Sequence, residues 1–203
     1  MKYPLISEYV QSILNAASNL NKLHNLTPVL DENGEPFMCS GSSAVVFKMK
    51  DNDTGNFYAL KCFTDDQENR EKAYKQICDV LEKISSPYFT KVLYIEKGIK
   101  VVSSCTAETE FPVLLMDWVE GDTMTGYVAK NYQDKQFMST LCENISSMAS
   151  WLRIQSFAHG DICPDNIIVK TDGSLTLVDY DGMYVPTMSG QKSPNLGTSA
   201  FRH

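Results

Sequence analysis

The spacing of apolar residues changes several times along the chain, and each change predicts a different element. Residues 5 to about 21 carry apolar side chains at helical spacing, which predicts an N-terminal helix. Two turn signals follow, DENGEP at 31–36 and DNDTGN at 51–56, and short β-type runs flank them. Helical spacing returns at about 67–84, which predicts a second helix behind these strands.

The rest of the chain continues with strands and then becomes mainly helical. Strands are predicted at 91–96, 99–104, 111–119, 167–170 and 175–178. A long helix is predicted at about 137–157, with one apolar stripe formed by Met138, Leu141, Ile145, Met148 and Leu152. Strands with one helix, followed by mostly helices, indicate an α+β chain in two lobes, the first built on an antiparallel sheet.

Composition narrows the class of protein without deciding its function. With 43% hydrophobic and 21% charged residues, the chain of 203 residues is composed like an ordinary soluble globular protein. Its net charge of −7 argues against nucleic acid and anionic membranes as partners, and no apolar run is long enough to predict a membrane span. The six cysteines are scattered without a C-x-x-C pair, which favours reduced thiols in the cytoplasm over disulfides or a zinc site.

Six short motifs carry the chemistry that the sequence suggests. They are CSGSSAVV (39–46), YALK (58–61), LLMDWVEG (114–121), HGDICPDN (159–166), DYDG (179–182) and GTSAF (197–201). In this order and at these spacings they resemble the protein-kinase superfamily, in the form of a bacterial-type Ser/Thr protein kinase-like domain. The resemblance covers about residues 37 to 203 and implies a protein-kinase-like fold.

The resemblance implies roles for the polar residues in phosphate transfer from ATP. Asp161 would accept or orient the proton of the attacking hydroxyl. Asn166 and Asp179 would supply the hard oxygen ligands that Mg²⁺ prefers. Lys61 would provide a cation for the α- and β-phosphates, and the backbone around Gly41 would cover them.

The family pattern also implies an adenine site. Three apolar side chains would sandwich the base, namely Val46, Ala59 and Ile168. Met116 would act as gatekeeper, and the Asp117 carbonyl and the Val119 amide would bind the adenine edge. The alternative for the apolar residues is core packing, which the same side chains would satisfy.

Five positions depart from the family pattern. Cys39 and Ala44 replace the first and third glycines of the phosphate loop, which makes a close backbone approach harder. Cys163 stands where Ser/Thr kinases and many Tyr kinases carry a lysine, so a cation near the transferred phosphoryl group is lost. Asp181 replaces the glycine of the D-F-G motif and places a second carboxylate beside Asp179. Gly160 replaces an arginine.

The arginine missing at Gly160 bears on regulation. In many kinases it pairs with a phosphorylated residue of the activation segment, and glycine cannot form that pair. Phosphorylation is therefore not expected to act through this contact at Thr187, Ser189, Ser193 or Thr198.

The second predicted helix lacks the glutamate that the family places there to pair with the strand lysine. Counting back from the SPYF motif leads to Ile77 instead. Glu71 and Asp79 are the nearest acids, and neither matches both the spacing and the face of the helix. No partner for Lys61 is therefore predicted.

The motifs suggest three segments: an N-terminal helix and lead-in strand (1–36), an N-lobe with hinge (37–119) and a partial C-lobe (120–203). The chain stops where the family continues into further C-lobe helices. Residues near the end would then have few internal partners, among them Met183, Tyr184, Val185 and Phe201. We accordingly expect either self-association or a mobile or rearranged segment from Gly182 onward.

Three functions remain open on the sequence alone. The first is an ATP- and Mg²⁺-dependent Ser/Thr protein kinase, favoured by GTSAF and Pro164. The second is a catalytically impaired binding or scaffold module, favoured by Cys163 and the missing helix glutamate. The third is a small-molecule kinase of the aminoglycoside or choline kinase type, favoured by the HGD opening. The acceptor would accordingly be a hydroxyl of a protein or of a small molecule.

Overall fold

The structure is a computed structural model that describes residues 2–191 and 197–201. The chain divides into two compact units. The sheet unit consists of Met1–Glu71 and Val92–Trp118, and the helical unit consists of Lys72–Lys91 and Val119–His203. Of the four candidate phosphorylation positions, Ser193 lies outside the described residues.

The sheet unit is organised around one antiparallel sheet, which has six strands among the described residues. In chain order these are β1 (Leu26–Pro28), β2 (Met38–Ser40), β3 (Ala44–Asp51), β4 (Phe57–Phe63), β5 (Val92–Lys100) and β6 (Glu110–Asp117). Across the sheet the order is β1-β3-β4-β6-β5, and β2 pairs with β3. Alternation along β3 buries Val45 and Phe47 on one face and leaves Val46 and Lys48 half-buried on the other.

The N-terminal helix packs on the buried face of this sheet. It is divided into α1 (Ile6–Leu14) and α2 (Ala16–Asn19), so the prediction of a single helix over 5–21 is wrong at its centre. The break lies at Asn15, whose φ of −114° and ψ of 41° leave the helical region. Its side-chain amide also donates to the Gln11 carbonyl, as asparagine often does where it competes with the helix backbone. Three side chains of this segment are fully buried: Tyr9, Ile13 and Leu20.

Strand β5 runs through a position that resembles a turn in the sequence. Separate strands at 91–96 and 99–104 were predicted, whereas Val92–Lys100 is one strand with an irregular register between Ile95 and Ile99. The intervening Gly98 lies so close to β6 that an added Cβ would be 2.2 Å from a methyl of Val113. This glycine therefore permits close strand packing rather than ending the strand.

The helical unit contains three α-helices and a small sheet among the described residues. Its elements are α3 (Arg70–Leu81, which enters this unit at Lys72), β7 (Asp122–Thr123), α4 (Met124–Asn131), α5 (Lys135–Arg153), β8 (Ile167–Val169) and β9 (Leu175–Leu177). The small sheet is antiparallel with the order β7-β8-β9. The predicted α+β class, an antiparallel sheet followed by a mainly helical part, is confirmed.

Helix α5 packs on the β8–β9 hairpin through the stripe that the sequence predicts. The Asp134 carboxylate caps its N-terminus by accepting from the Gln136 and Phe137 amides at 2.9 and 3.2 Å. Leu141 and Met148 are buried against the hairpin, with Met138, Ile145 and Leu152 packed around them. No helix among the described residues combines the length and apolar character needed to cross a membrane.

The residues directly after Gly182, Met183 to Val185, are better packed than the sequence suggests. Met183 and Val185 are 1% and 0% exposed, so the expectation that they have few internal partners is wrong. Tyr184 pairs with Ala158 through two backbone hydrogen bonds of 2.8 and 2.9 Å. Phe201 is 52% exposed, which agrees with the expectation for that residue.

Candidate active site

The β8–β9 hairpin determines where the two predicted metal ligands lie. Ile167 pairs with Leu177 in the antiparallel register, and the Val178 amide donates to the Asn166 carbonyl at 2.9 Å. Asn166 directly precedes β8, and Asp179 follows the end of β9 after one residue. Because the start of one strand lies beside the end of its antiparallel neighbour, the hairpin carries both residues at the same end.

The Asp161 carboxylate is held on both oxygens. Its Oδ1 accepts from the Thr198 amide at 2.7 Å and from the Thr198 hydroxyl at 2.8 Å. Its Oδ2 accepts from the Asn166 side-chain amide at 3.3 Å, and the same amide donates to the Asp161 carbonyl at 2.9 Å. Asp161 is thus fixed by a set of contacts whose donors suit the ionised acid.

Thr198 was not among the predicted site residues, although its motif, GTSAF, was recognised. The motif signalled the end of an activation segment, but nothing in a linear pattern showed which residue contacts Asp161. The two are separated by 37 positions and meet only in the fold.

Asn166 and Asp179 fit a hard cation by the chemistry of their donors. Both contacts of the Asn166 amide nitrogen are directed to Asp161, which leaves the amide oxygen as the atom with which this side chain would bind a metal. Asp179 has φ 63° and ψ 83°, a left-handed conformation that is uncommon outside glycine and concentrates at functional sites. No cluster of three or more His, Cys, Asp or Glu occurs in the described residues. Mg²⁺ bound here would therefore complete its shell with phosphate oxygens and water.

His159, which opens the HGD motif, is a packing residue in this structure. It is 1% exposed, and its Nε2 donates to the Val178 carbonyl at 3.1 Å. Its ring packs against Phe89 and Tyr180. Burial lowers the pKa of His159 below its ordinary value, so the neutral ring is favoured.

Gly160 is required by its backbone and by its surroundings. Its φ is 82°, and an added Cβ would lie 1.8 Å from the Gly182 carbonyl oxygen. An arginine, which the family pattern has at this place, does not fit this backbone without displacing the DYDG loop. The absence of an activation-segment pair at Gly160 is therefore built into the local packing.

Cys163 occupies the position of the missing lysine with its side chain buried. It is 7% exposed, and its carbonyl accepts from the Asn166 amide at 3.0 Å, which closes the short turn Pro164–Asn166. A buried thiol behaves as a small hydrophobic group. Cys163 therefore cannot supply the positive charge that a lysine would bring to the loop.

In the sheet unit, one face of the sheet carries four of the predicted site residues. Val46 pairs with Lys61 and Ala59 pairs with Met116, so β3, β4 and β6 bring these residues together. This face is opposite the one on which Val45, Phe47 and Leu60 pack with the N-terminal helix. Lys61 itself is 5% exposed.

Ile168 is the residue of the helical unit that was predicted to contact the adenine base. Ile167 and Val169 are buried in the cluster under α5, whereas Ile168 is half-buried and points to the other face of β8. For Val46 and Ile168, packing in these two clusters therefore does not explain the apolar side chain.

The remaining predicted residues lie at the ends of strands. Gly41 follows β2, and its amide donates to the Ala44 carbonyl at 2.9 Å. An added Cβ would make only an ordinary contact, 3.8 Å from the same oxygen, so the backbone itself does not demand glycine there. Asp117 ends β6 in the sheet unit, and Val119 is the first residue of the second segment of the helical unit.

Helix α3 carries two residues that bear on the prediction that it lacks a glutamate partner for the strand lysine. Ile77, at the position counted for the missing glutamate, is buried with 1% exposure. Tyr74, one turn earlier, donates its hydroxyl to Asp181 of the DYDG loop. This contact joins residues 107 positions apart, and sequence reasoning missed it.

Comparison with known proteins gives one family and several distant relatives. The family model for the protein kinase domain matches residues 35–202. The serine/threonine-protein kinase AtPK1/AtPK6 of Arabidopsis thaliana is 24% identical over 148 residues, covering 69% of this chain and 29% of the relative. Mitogen-activated protein kinase kinase 10 of the same plant is 23% identical over 161 residues, covering 79% and 48%. Mitogen-activated protein kinase kinase 8 is 22% identical over 203 residues, covering 98% and 59%. The chain thus spans between 29% and 59% of the length of these relatives.

Proposed function

The chain belongs to the protein kinase domain family, and from this premise we propose that it is an ATP- and Mg²⁺-dependent phosphotransferase acting on Ser/Thr hydroxyls of proteins. The observation that carries the proposal is the Asp161 carboxylate, held by Thr198 and Asn166 on its two oxygens. The relatives described above include a Ser/Thr kinase and kinases of other kinases by name, which supports a protein acceptor.

Asp161 would orient the acceptor hydroxyl. Two of its three side-chain contacts fall on Oδ1, and the single contact to Oδ2 is long at 3.3 Å. The lone pairs of Oδ2 are therefore the better acceptor for an incoming hydroxyl proton. Positioning of this kind is the main protein contribution to phosphoryl transfer.

Asn166 and Asp179 would hold Mg²⁺. When bound, the ion would neutralise the phosphate oxygens as charge develops on them. The chain contributes two oxygen ligands on a hairpin end whose geometry its own hydrogen bonds maintain. The nucleotide would contact Lys61 and Gly41 through its phosphates, and Val46, Ala59, Met116, Asp117, Val119 and Ile168 through its base.

A second candidate function is supported by the buried thiol of Cys163. The lysine that this position carries in many kinases would place a positive charge near the transferred group, and a thiol with 7% exposure cannot. On this alternative the chain binds nucleotide as a scaffold module that no longer transfers phosphate. The small-molecule kinase alternative has the same missing lysine but gains no support from the named relatives.

The deciding experiment is incubation of the full chain with γ-labelled ATP, Mg²⁺ and generic protein and small-molecule acceptors. Asp161→Asn tests the proposed orienting carboxylate, and Asp165→Asn is the matched control, since Asp165 is an exposed acid of the same loop. We expect label on Ser/Thr residues that Asp161→Asn abolishes and Asp165→Asn retains. ATP binding without transfer would establish the scaffold alternative, and label confined to small molecules would establish the third.

Binding is measured separately from transfer by thermal denaturation. A ligand that binds only the native state raises the melting temperature by mass action. Millimolar ATP with Mg²⁺ is expected to stabilise the chain, and Asp179→Ala is expected to remove the Mg²⁺-dependent part. A melting curve that ATP and Mg²⁺ leave unchanged would contradict nucleotide binding and all three functions with it.

A further inference from the structure

Asp181 is an acid at a place where the family pattern has glycine, and the helical unit gives it a specific partner. Its Oδ1 accepts a hydrogen bond from the hydroxyl of Tyr74 on α3. Tyr74 is 2% exposed and lies on the buried stripe of this helix with Ile77 and Leu81. The contact therefore connects a buried, well-anchored side chain to the loop that carries the proposed metal ligand Asp179.

The residues on either side of Asp181 are fixed as well. Tyr180 is fully buried, and its hydroxyl donates to the Leu177 carbonyl at 2.8 Å and accepts from the Thr90 amide at 3.0 Å. Gly182 packs directly on Gly160: a Cβ added at Gly160 would lie 1.8 Å from the Gly182 carbonyl oxygen, and one added at Gly182 would lie 3.3 Å from the Gly160 carbonyl carbon. The Met183 amide then donates to the Tyr180 carbonyl at 3.0 Å and closes the turn.

The strained residue of this turn is Asp179, which directly precedes the fixed residues Tyr180, Asp181 and Gly182. Asp179 is left-handed, a conformation that persists in a non-glycine residue only where the surrounding structure determines it. The three residues after Asp179 are held by side-chain contact or close packing. The direction of the Asp179 carboxylate thus depends on how firmly the following residues are held.

Two roles for Asp181 follow from its chemistry. As a carboxylate two residues from Asp179, it could be an additional metal ligand. As the acceptor of the Tyr74 hydroxyl, it could instead hold the loop against α3. Because an oxygen of Asp181 is engaged by a buried donor on α3, we infer that Asp181 is a positioning residue: with Tyr74 it fixes the loop that orients Asp179 for Mg²⁺. This inference rests on the proposed function.

The arrangement gives α3 a role that differs from the family pattern. There, a helix glutamate pairs with the strand lysine, and here Ile77 stands at the counted position. In this chain α3 contacts the metal-binding loop through the Tyr74 hydroxyl and the Asp181 carboxylate. A shift of α3 that broke the contact would loosen the loop and weaken Mg²⁺ binding.

The two roles are separated by Mn²⁺ binding to the full chain with ADP, measured by electron paramagnetic resonance. The variants are Tyr74→Phe, Asp181→Ala, Asp181→Asn and the double change Tyr74→Phe with Asp181→Ala. Loss of one charge-assisted hydrogen bond corresponds to about a tenfold change in affinity. We expect about tenfold weaker Mn²⁺ binding in Tyr74→Phe and in Asp181→Ala, and no further loss in the double variant, because both remove the same contact.

Asp181→Asn is the discriminating variant. An amide oxygen still accepts from the Tyr74 hydroxyl, so this variant should keep most of the contact and bind Mn²⁺ clearly more tightly than Asp181→Ala. If Asp181 is a metal ligand, Asp181→Asn should lose affinity as Asp181→Ala does, while Tyr74→Phe stays at the wild-type value. That pattern overturns the inference. Tyr132→Phe, at a 63% exposed tyrosine, controls for loss of a hydroxyl as such.

A measurement without ligand completes the test. Tyr74→Phe should raise the rate of hydrogen exchange at the Met183 amide, which closes the turn, by about tenfold, with no change in Tyr132→Phe. Unchanged exchange at Met183 would contradict the positioning role. A wild-type chain that binds no Mn²⁺ with ADP overturns the proposed function and this inference with it, whereas wild-type binding that Tyr74→Phe does not weaken overturns the inference alone.

Discussion

The N-terminal helix provides the sharpest test of how the sheet unit is held together. The family match begins at residue 35, yet α1 lies earlier in the chain and contributes fully buried side chains to the same hydrophobic cluster as β3 and β6. Tyr9 is central to this packing. It is 0% exposed, its ring meets Phe111 edge to face at 6.4 Å, and its hydroxyl donates to the Phe63 carbonyl at 2.8 Å. Burial raises the pKa of Tyr9 far above its ordinary value, so the hydroxyl stays protonated as a donor.

Two substitutions divide the contribution of Tyr9 into its hydroxyl and its ring. Tyr9→Phe leaves the Phe63 carbonyl without this donor, and an unmade buried hydrogen bond costs about 1–2 kcal/mol. Tyr9→Ala also empties the space of the ring, and loss of a buried aromatic side chain costs about 3–5 kcal/mol. In a chain of this size, 1 kcal/mol changes the melting temperature by about 2–4 °C, so we expect losses of about 2–8 °C and about 6–20 °C.

The assay is thermal or urea denaturation of the full chain, with Leu14→Ala as the control. Leu14 lies on the same helix but is 41% exposed, and a substitution there is expected to change stability by no more than about 0.5 kcal/mol. If Tyr9→Ala destabilised the chain no more than Leu14→Ala does, the helix would not be part of the core, and the argument from burial would be refuted.

Three further predictions concern an acid, a glycine and a hydroxyl. Hydrogen bonds, the strongest from the Ser104 amide, lower the pKa of Glu8 from 4.5 to about 2. The ionised Glu8 therefore stabilises the folded chain fully above pH 4.5, and this stabilisation is lost as the pH falls toward 2. The difference in melting temperature between wild type and Glu8→Gln should shrink over this interval. Gly160→Ala should destabilise the chain by clearly more than Gly34→Ala, which shares a φ near 80° but meets open space and so should cost only about 1–2 kcal/mol in chemical denaturation; equal losses would contradict the close Gly160 packing. Thr198→Val, which keeps the amide contact to Asp161 and removes the hydroxyl contact, should lower kcat about tenfold without changing ATP affinity, and an unchanged kcat in a steady-state assay would contradict a role for that hydroxyl.

The elements that the sequence predicted well are those whose pattern is local. The stripe of α5 and the strand at β3 each follow from residues a few positions apart, and burial matches them: Leu141 and Met148 are buried, and burial alternates from Val45 to Met49. The positions of Asn166 and Asp179 follow from a single hairpin, so motif spacing was sufficient to place them at one end.

The features that the sequence did not predict depend on contacts between distant segments. In the sequence Gly98 reads as a turn residue, and only the packing of Val113 against it explains why a glycine is needed within the strand. Likewise, the sequence does not show that Tyr9 of α1 is buried in the same cluster as the sheet. The Tyr74 hydroxyl that donates to Asp181 lies 107 positions away, and no periodicity identifies a tyrosine on α3 as a donor to this acid. Tertiary packing decides such contacts, and it is not encoded in spacing along one segment.

The departures from the family pattern change the charges of the catalytic and metal-binding loops in different ways, and these changes bear on catalysis. Cys163 removes a charge, but its backbone still closes the turn that carries Asn166, so the contacts of Asp161 remain complete. Asp181 adds a charge, and the Tyr74 hydroxyl satisfies one of its oxygens at a buried helix. Gly160 removes an arginine, and the space is taken by Gly182. In each case the charge differs from the family pattern, while Asp161 keeps its hydrogen bonds to Thr198 and Asn166. Because positioning and charge neutralisation contribute separately to phosphoryl transfer, the proposed activity would lose rate through the missing charge at Cys163 and not through the contacts of Asp161.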